Sequence, residues 1–168
     1  RATITQVGEN RVRIGNIHGK QRPDTLKLCV GYHKGWKTVS MLSFAWPDAY
    51  EKARYCADII MKKMEKRGMK ADDVLISFIG VNSLHLGVAD MSEETLKNLN
   101  ECVMRIAVFS EDKSECMKII PEISPMQLNG PPGASFFGGR AHVQEVMALW
   151  PTMIPREAVD VQTHMIEI

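Results

Sequence analysis

Alternating apolar and polar residues open the chain. Residues 3–7 and 11–17 follow this period of two on either side of Gly8-Glu9-Asn10, where glycine and asparagine tolerate a positive φ. The pattern predicts an N-terminal hairpin. We therefore divide the chain into a hairpin appendage at residues 1–22 and an α+β sandwich domain at residues 23–168.

A second hairpin is predicted after the appendage. Apolar side chains at every second position from Leu26 to Tyr32 share one face of an extended segment. Residues 33–35, His-Lys-Gly, have the composition of a turn, and residues 36–44 return as the next strand.

The middle of the chain changes to helical spacing and then to a strand. Pro47 suits a first helical turn, and Gly68 suits a helix end. Apolar residues recur between them at helical spacing: Tyr50, Ala53, Ala57, Ile60 and Met64. Residues 74–79 are apolar on both faces, which predicts a central strand that is covered on both sides or lies wholly within the core.

The C-terminal half carries two further helices and three strands. Ser92 opens a short helix that runs to Leu99, and Ser110 opens another that breaks before Pro121. Strands are predicted at residues 103–109, 143–149 and 159–166, separated by irregular segments.

The order of these elements predicts the fold class. From Trp36 onward it is strand, helix, strand, strand, helix, strand, which is the ferredoxin-like split βαβ order. We expect an α+β protein in which two helices cover one face of an antiparallel sheet.

Charge and composition exclude several classes of partner. The 168 residues include 21 basic and 20 acidic side chains, for a formal net charge of +1, without the basic excess that binding to nucleic acid needs. No apolar run is long enough for a membrane span, and the first residues lack a signal peptide. We expect a cytoplasmic protein that binds neither nucleic acid nor membrane.

The cysteines and histidines do not predict a metal site. Cys29, Cys56, Cys102 and Cys116 are far apart and form no CxxC pair, and no cysteine–histidine cluster has the spacing of zinc ligands. We interpret all four as reduced core residues and predict neither a metal nor a cofactor.

Three motifs resemble the C-terminal part of the acyclic terpene utilisation (AtuA) family. They are RPDTLK at residues 22–27, IGVNSLH at residues 79–85 and LNGPPG at residues 128–133, and the similarity continues through residues 143–150 and 154–156. The loop that begins with the third motif departs from the more glycine-only form expected of the family, because Pro132 and residues 135–137 intervene.

The resemblance implies a larger protein and a chemistry. Family members are longer, so an N-terminal domain is expected to precede Arg1, and the partners are that domain or other copies of the chain. The family is named from the breakdown of acyclic terpenes such as citronellol and geraniol, a route that proceeds through coenzyme A thioesters. The implied ligand is an acyl-CoA, and no catalytic residue is carried over.

A loop rich in glycine and proline is the first candidate site. Glycines lack a Cβ and let a backbone approach a ligand, and a nearby guanidinium can hold a phosphate or carboxylate. The candidate substrate-binding residues here are Asn129, Gly130, Gly138, Gly139, Arg140 and His142. The P-loop pattern GxxxxGK[ST] is absent, and a plain connector that docks against another domain remains the alternative.

The turn after the most apolar strand is the second candidate site. Asn82, Ser83 and His85 lie there, and the His85 imidazole is a candidate general acid or base. No acidic partner is identifiable, so a loop-organising histidine is the alternative. His142 would join His85 if the glycine-rich loop folds over the turn at Gly80.

Two functions follow from these patterns. The chain supplies a substrate-binding loop to an enzyme of acyl-CoA catabolism, or it is a non-catalytic domain that assembles with a separate catalytic domain. The second function predicts self-association and an exposed apolar surface around the N-terminal hairpin and the tryptophans. Whether the chain is itself an enzyme is left open by the sequence.

Overall fold

A computed structural model describes residues 1–166, apart from the side chain of Leu86. The fold is α+β, as predicted, with a two-stranded N-terminal sheet and a five-stranded antiparallel sheet. The strands are β1 (Thr3–Gly8), β2 (Arg11–Gly15), β3 (Thr25–Ala45), β4 (Asp73–Ile79), β5 (Glu101–Ser110), β6 (Ala134–Phe136) and β7 (Val143–Pro155). The helices are α1 (Ala49–Lys66), α2 (Glu93–Lys97), α3 (Lys113–Ile123) and α4 (Met126–Asn129).

The described residues form two compact units. One comprises residues 1–30 together with the described residues from 149 onward, and the other comprises residues 31–148. No described side chain of the first unit is buried. The hydrophobic core belongs to the second unit.

The N-terminal hairpin is confirmed. β1 pairs with β2 in antiparallel register, with Ile4 opposite Ile14, and Asn10 takes a positive φ of 55° in the turn. Asparagine is one of the few residues that tolerate this conformation, which is why the chain can reverse here.

The core lies between the sheet and two helices. Every second residue of β5 from Cys102 to Val108 is buried, and each faces α1 and α3 rather than solvent. α1 and α3 both contact β5 and also contact each other, so they cover the same face of the sheet, as the apolar stripes predict. The α1 residues in the core are Ala49, Ala53, Cys56, Ala57, Ile60 and Met64.

The strand order is β4-β5-β3-β6, and β7 also pairs with β3. The position beside β3 is thus divided between the three residues of β6 and the longer β7. The ferredoxin-like designation stays a prediction.

Two strand predictions in the N-terminal half of the chain are wrong. The second hairpin does not form, because residues 33–35 continue β3 as one strand of 21 residues. Gly35 does not form a turn but allows the backbone of β3 to pass close to that of β5. A Cβ at this position would lie 2.8 Å from the Ser110 carbonyl oxygen. β4 is an edge strand of the sheet and not a central one, and its Leu75 side chain is 54% exposed.

The C-terminal half differs from the prediction at three places. α3 begins after Asp112, whose side chain accepts from the Ser114 N–H, and it continues through Pro121. Pro121 is exposed, so water can reach the carbonyl that loses its partner. Residues 159–166 form no strand.

Outside the C-terminal half, Cys29 is exposed where a core position was expected.

No helix in residues 1–166 is both long and apolar enough to cross a membrane.

Candidate functional site

A cavity of about 420 Å³ lies in the second unit, beside α3 and β6. Its lining residues come from four separate segments of the chain: Ser40, Ile120, Ser124, Phe136, Arg140 and Ala141. We call it the Arg140 cavity. It combines a guanidinium and two hydroxyls with apolar walls.

β3 and β6 supply one wall of the Arg140 cavity. Ser40 lies on the core-facing side of β3, opposite Ile106 of β5, and is only 8% exposed. In the described part of the chain its hydroxyl has no hydrogen-bond partner. Phe136 pairs with Leu42 in the short β3–β6 ladder, which places an aromatic ring next to this hydroxyl-bearing face.

α3 supplies the opposite wall. Ile120 and Ser124 are four residues apart, so they lie on the same side of the helix. The Ser124 hydroxyl donates to the Ile120 carbonyl over 3.4 Å, a bond that leaves only its lone pairs free. Ser124 can therefore accept a hydrogen bond from a ligand without rearrangement.

The segment that carries Arg140 is anchored to β3. The Phe137 N–H donates to the Met41 carbonyl, and the Thr38 hydroxyl donates to the His142 carbonyl over 3.2 Å. The Arg140 side chain is exposed and forms no ion pair or hydrogen bond within residues 1–166. The sequence prediction of Arg140 as a ligand-facing residue therefore has a cavity to act in.

His142 lies close to Arg140 but outside the lining of the cavity. Its Nδ1 is 3.4 Å from the Arg140 carbonyl oxygen, and its Nε2 is 2.7 Å from Gln144 Nε2. These contacts orient the imidazole beside the start of β7. Its position supports the Arg140 backbone, and its predicted role in substrate binding stays a prediction.

The glycines and Asn129 of the loop have separate structural roles. Asn129 is the last residue of α4 and does not lie in an irregular loop. A Cβ at Gly130 would lie 2.3 Å from the Met126 carbonyl oxygen, so glycine is required there by packing. Gly138 has a φ of +88°, a conformation that favours glycine, while Gly139 has open space around it. Neither Asn129 nor these glycines line the Arg140 cavity.

His85 lines a different cavity, of about 280 Å³. The same cavity includes Asp90, an acidic residue that the sequence analysis did not identify as a partner. The Asp90 carboxylate already accepts hydrogen bonds from the Thr95 hydroxyl and the Ser92 N–H, and these bonds hold its pKa below the ordinary value. Asp90 thus organises the start of α2, and the His85 ring is exposed without a hydrogen bond in the described residues.

Asn82 and Ser83 lie in the turn that follows β4. Both are half-buried, and the Asn82 N–H donates to the Phe78 carbonyl over 3.2 Å. Neither residue lines the cavity of His85. They shape the turn on which His85 is carried.

The two candidate sites are separate. The Arg140 cavity and the His85 cavity share no lining residue, and they adjoin β6 and β4, which are at opposite ends of the strand order. The structure therefore does not assemble His85 and His142 into one cluster. Of the predicted residues, only Arg140 lines the cavity that combines cationic, hydroxyl and apolar groups.

Sequence reasoning missed the other members of the Arg140 cavity. One signal was present: Ser40 puts a hydroxyl at a buried position of β3, in an alternation of buried residues that continues with Leu42 and Phe44. A hydroxyl at a core-facing strand position needs a partner, and a cavity is one way to provide it. Ile120 and Ser124 carry no such signal, because any helix has an i and i+4 pair.

Two of the segments that suggested a family contact each other in the first unit. Arg156 donates from its backbone N–H to the Asp24 carbonyl over 2.8 Å and from Nε to the Pro23 carbonyl over 3.0 Å. This interaction gives the RPDTLK segment and residues 154–156 a common structural role.

A comparison with protein families finds a match to nearly the whole chain. The family described as acyclic terpene utilisation family protein AtuA matches residues 1–165. The chain belongs to the AtuA family. The comparison with curated proteins finds no match, and the comparison with solved structures finds none either.

In this AtuA-family chain the donor groups do not gather as metal ligands do. Within residues 1–166 no group of three or more His, Cys, Asp or Glu side chains could hold a metal ion.

Proposed function

We propose that this AtuA-family chain supplies a substrate-binding site to a cytoplasmic enzyme that breaks down acyclic terpenoids as acyl-CoA thioesters. The observation that carries the proposal is Arg140, whose guanidinium has no ion pair or hydrogen bond within residues 1–166 and which lines a cavity with apolar walls. The match to the AtuA family over residues 1–165 supports the choice of terpenoid chemistry.

The chemical match has two parts. An acyclic terpenoid acyl group is a branched hydrocarbon, and Ile120, Phe136 and Ala141 offer it apolar surface. The thioester carbonyl or a phosphate of coenzyme A is an acceptor, and a guanidinium donates to either. The reaction itself is assigned to groups outside this cavity, since neither hydroxyl has a base as its hydrogen-bond partner.

Binding of citronellyl-CoA to the chain tests the proposal. Arg140→Ala should weaken binding roughly 10- to 100-fold, because a lost hydrogen bond to a charged group costs about 1.5–3 kcal/mol. Arg13→Ala is the matched control, since Arg13 is also exposed but lies in β2. Equal affinities for the wild-type chain and Arg140→Ala, measured by calorimetry, would remove the cavity from the proposal.

A second function is supported by the N-terminal hairpin. The register places Ile4, Val12 and Ile14 on one face and Thr5 and Arg13 on the other. All three apolar side chains are more than half exposed. A two-stranded hairpin is marginal in water unless its apolar face is covered, so this face favours a docking or assembly domain, with another copy of the chain as the simplest partner.

Self-association distinguishes this second function. Ile14→Asp should abolish concentration-dependent association, because it puts a carboxylate on the apolar face. Thr5→Asp, on the opposite face of the same hairpin, should leave association intact. Light scattering that finds a monomer at every concentration, or equal loss in both variants, would exclude association through this face.

A further inference from the structure

We infer that the outer edge of β4 is the surface on which the N-terminal hairpin of another copy of the chain docks. The inference rests on the second proposed function, in which the hairpin mediates assembly, and it names the surface that receives the hairpin. Three features of the molecule support it: the open backbone edge of β4, the exposed apolar side chains on that strand, and the opposite charges of the two segments.

β4 leaves one row of backbone groups open. It is the end strand in the order β4-β5-β3-β6, and within residues 1–166 only β5 pairs with it. Apart from that ladder, no backbone N–H or carbonyl of residues 73–77 forms a hydrogen bond in the described part of the chain. An edge strand points half of its N–H and C=O groups away from the sheet, and an extended segment can pair with them. β4 can therefore accept one further strand.

β4 also lacks the features that usually prevent such pairing. Edge strands are normally protected by lysines, prolines, bulges or short length. Residues 74–79 contain neither a charged residue nor a proline, and the register with β5 runs from Asp73 to Ile79 without a shift. β4 has seven residues, whereas β1 has six and β2 has five, so either strand of the hairpin fits along it.

The face of β4 that points away from α1 and α3 is apolar. Leu75 and Ile79 lie on this face and are 54% and 38% exposed. On the hairpin, Ile4, Val12 and Ile14 share one face and are more than half exposed. Side chains on adjacent strands contact each other across the sheet, so a docked hairpin can cover Leu75 with its apolar face. Docking thus removes apolar surface of both segments from water.

The two segments carry opposite charges. β1 and β2 contain Arg11 and Arg13 and no acidic residue. β4 begins at Asp73, and Asp72 and Glu111 lie at the same end of the sheet, where the Glu111 N–H donates to the Asp72 carboxylate over 2.7 Å. Neither Asp73 nor Glu111 forms an ion pair within residues 1–166. An arginine of the hairpin complements these carboxylates, whereas β4 of another copy contains no basic residue.

Leu75→Lys tests the edge of β4, because a lysine there loses water when another strand pairs. We expect it to weaken concentration-dependent association roughly 10-fold or more, as measured by analytical ultracentrifugation. Met117→Lys is the matched control and should leave association unchanged, since Met117 lies on α3 and is 55% exposed. Circular dichroism checks that both variants are folded.

Two variants together distinguish docking of the hairpin on β4 from pairing of like surfaces. Ile14→Asp keeps the native β4, and Leu75→Lys keeps the native hairpin. Each should be monomeric at a concentration where the wild type associates, and a mixture of the two should associate. Hydrogen exchange at residues 73–77 should be slower in the mixture than in either variant alone. Pairing of two hairpins would leave Leu75→Lys associated, and pairing of two β4 strands would leave Ile14→Asp associated.

A charge exchange provides a second test that does not depend on Leu75. Asp73→Lys and Arg11→Asp should each weaken association roughly 2- to 10-fold. The chain that carries both substitutions should recover association, because opposite charges again meet between copies. A double variant that associates no better than either single variant overturns docking at the acidic end of β4.

The outcomes separate this inference from the second proposed function. If Ile14→Asp is monomeric while Leu75→Lys associates like the wild type, assembly through the hairpin stands and docking on β4 is overturned. A mixture of the two monomeric variants that stays monomeric also overturns the inference. If Ile14→Asp associates like the wild type, or the wild type is monomeric at every concentration, both proposals are overturned.

Discussion

The Glu122 carboxylate of α3 lies 2.6 Å from the Arg67 guanidinium, which follows the last turn of α1. Lys63 of α1 approaches the other carboxylate oxygen to 3.6 Å. The Glu122 side chain is only 4% exposed, whereas both cations reach solvent. A buried carboxylate therefore connects the two helices that cover the sheet.

Glu122→Ala should lower the free energy of unfolding by about 1–3 kcal/mol. The loss is a buried, doubly paired carboxylate, and it is moderated because Lys63 and Arg67 can return to water. Urea denaturation measures the difference. The control is Glu93→Ala, whose pair with Lys97 is exposed and should contribute less than about 1 kcal/mol. Equal effects of the two substitutions would contradict this account of the α1–α3 contact.

Acid should destabilise the protein in part through Glu115. The Lys118 ammonium and the Lys70 N–H donate to its carboxylate and hold its pKa below the ordinary value of 4.5. A carboxyl whose pKa is lower in the folded state contributes stability above its unfolded pKa, and that contribution is lost as the pH falls through the folded pKa. The free energy of unfolding should thus decrease below about pH 5.

The Glu115→Gln variant should show a flatter dependence on pH over this range. Asp90 and Asp112 also have lowered pKa values and contribute with the same sign, so some dependence should remain. Glu94→Gln is the control, because Glu94 is exposed and makes no ion pair in the described residues. A Glu115→Gln profile parallel to that of the wild type would contradict the prediction.

Gly35→Ala should lower the free energy of unfolding more than Gly31→Ala does. A Cβ at Gly35 would lie 2.8 Å from the Ser110 carbonyl oxygen and 3.0 Å from the Phe109 ring, and the glycine has a φ of +154°. We expect a loss of about 1–3 kcal/mol, as for an overpacked core position. Gly31→Ala, on the same strand, has no atom within 4 Å of its Cβ and should change stability by less than about 0.5 kcal/mol. Thermal denaturation of the two variants provides the comparison.

One of the four cysteines should react rapidly with a thiol reagent at pH 8. Burial raises the pKa of Cys56 and of Cys102 to about 11 and raises that of Cys116, so few of these thiols are ionised or reachable. Cys29 is exposed. Labelling with Ellman's reagent should give one fast thiol and three slow ones, and denaturant should release all four. A fast phase that survives Cys29→Ser would contradict this assignment.

The pattern of the sequence was sufficient for most of the elements. Periodicity located the N-terminal hairpin, α1 and β5 within about two residues, because the spacing of apolar residues along the chain follows the period of the helix or strand that buries them. The same reasoning selected Arg140 as a candidate substrate-binding residue, since glycines beside a single guanidinium are a local signal; Arg140 lines a cavity, and its role in binding stays a prediction.

Other outcomes depended on contacts between distant residues. The segment at Gly35 has turn composition, but its pairing with β5 and its contact with Phe109 keep β3 extended. β4 is apolar on both faces and yet occupies an edge, because strand position is set by the partners available and not by composition. The Arg140 cavity gathers Ser40, Ser124 and Arg140 from separate segments, and no spacing along the chain encodes that arrangement. The sequence by itself therefore determined most of the helices and strands and which residue types are chemically able to bind. Tertiary packing decided where β3 continues and which residues share a cavity, because hydrogen bonding and burial act between neighbours in space.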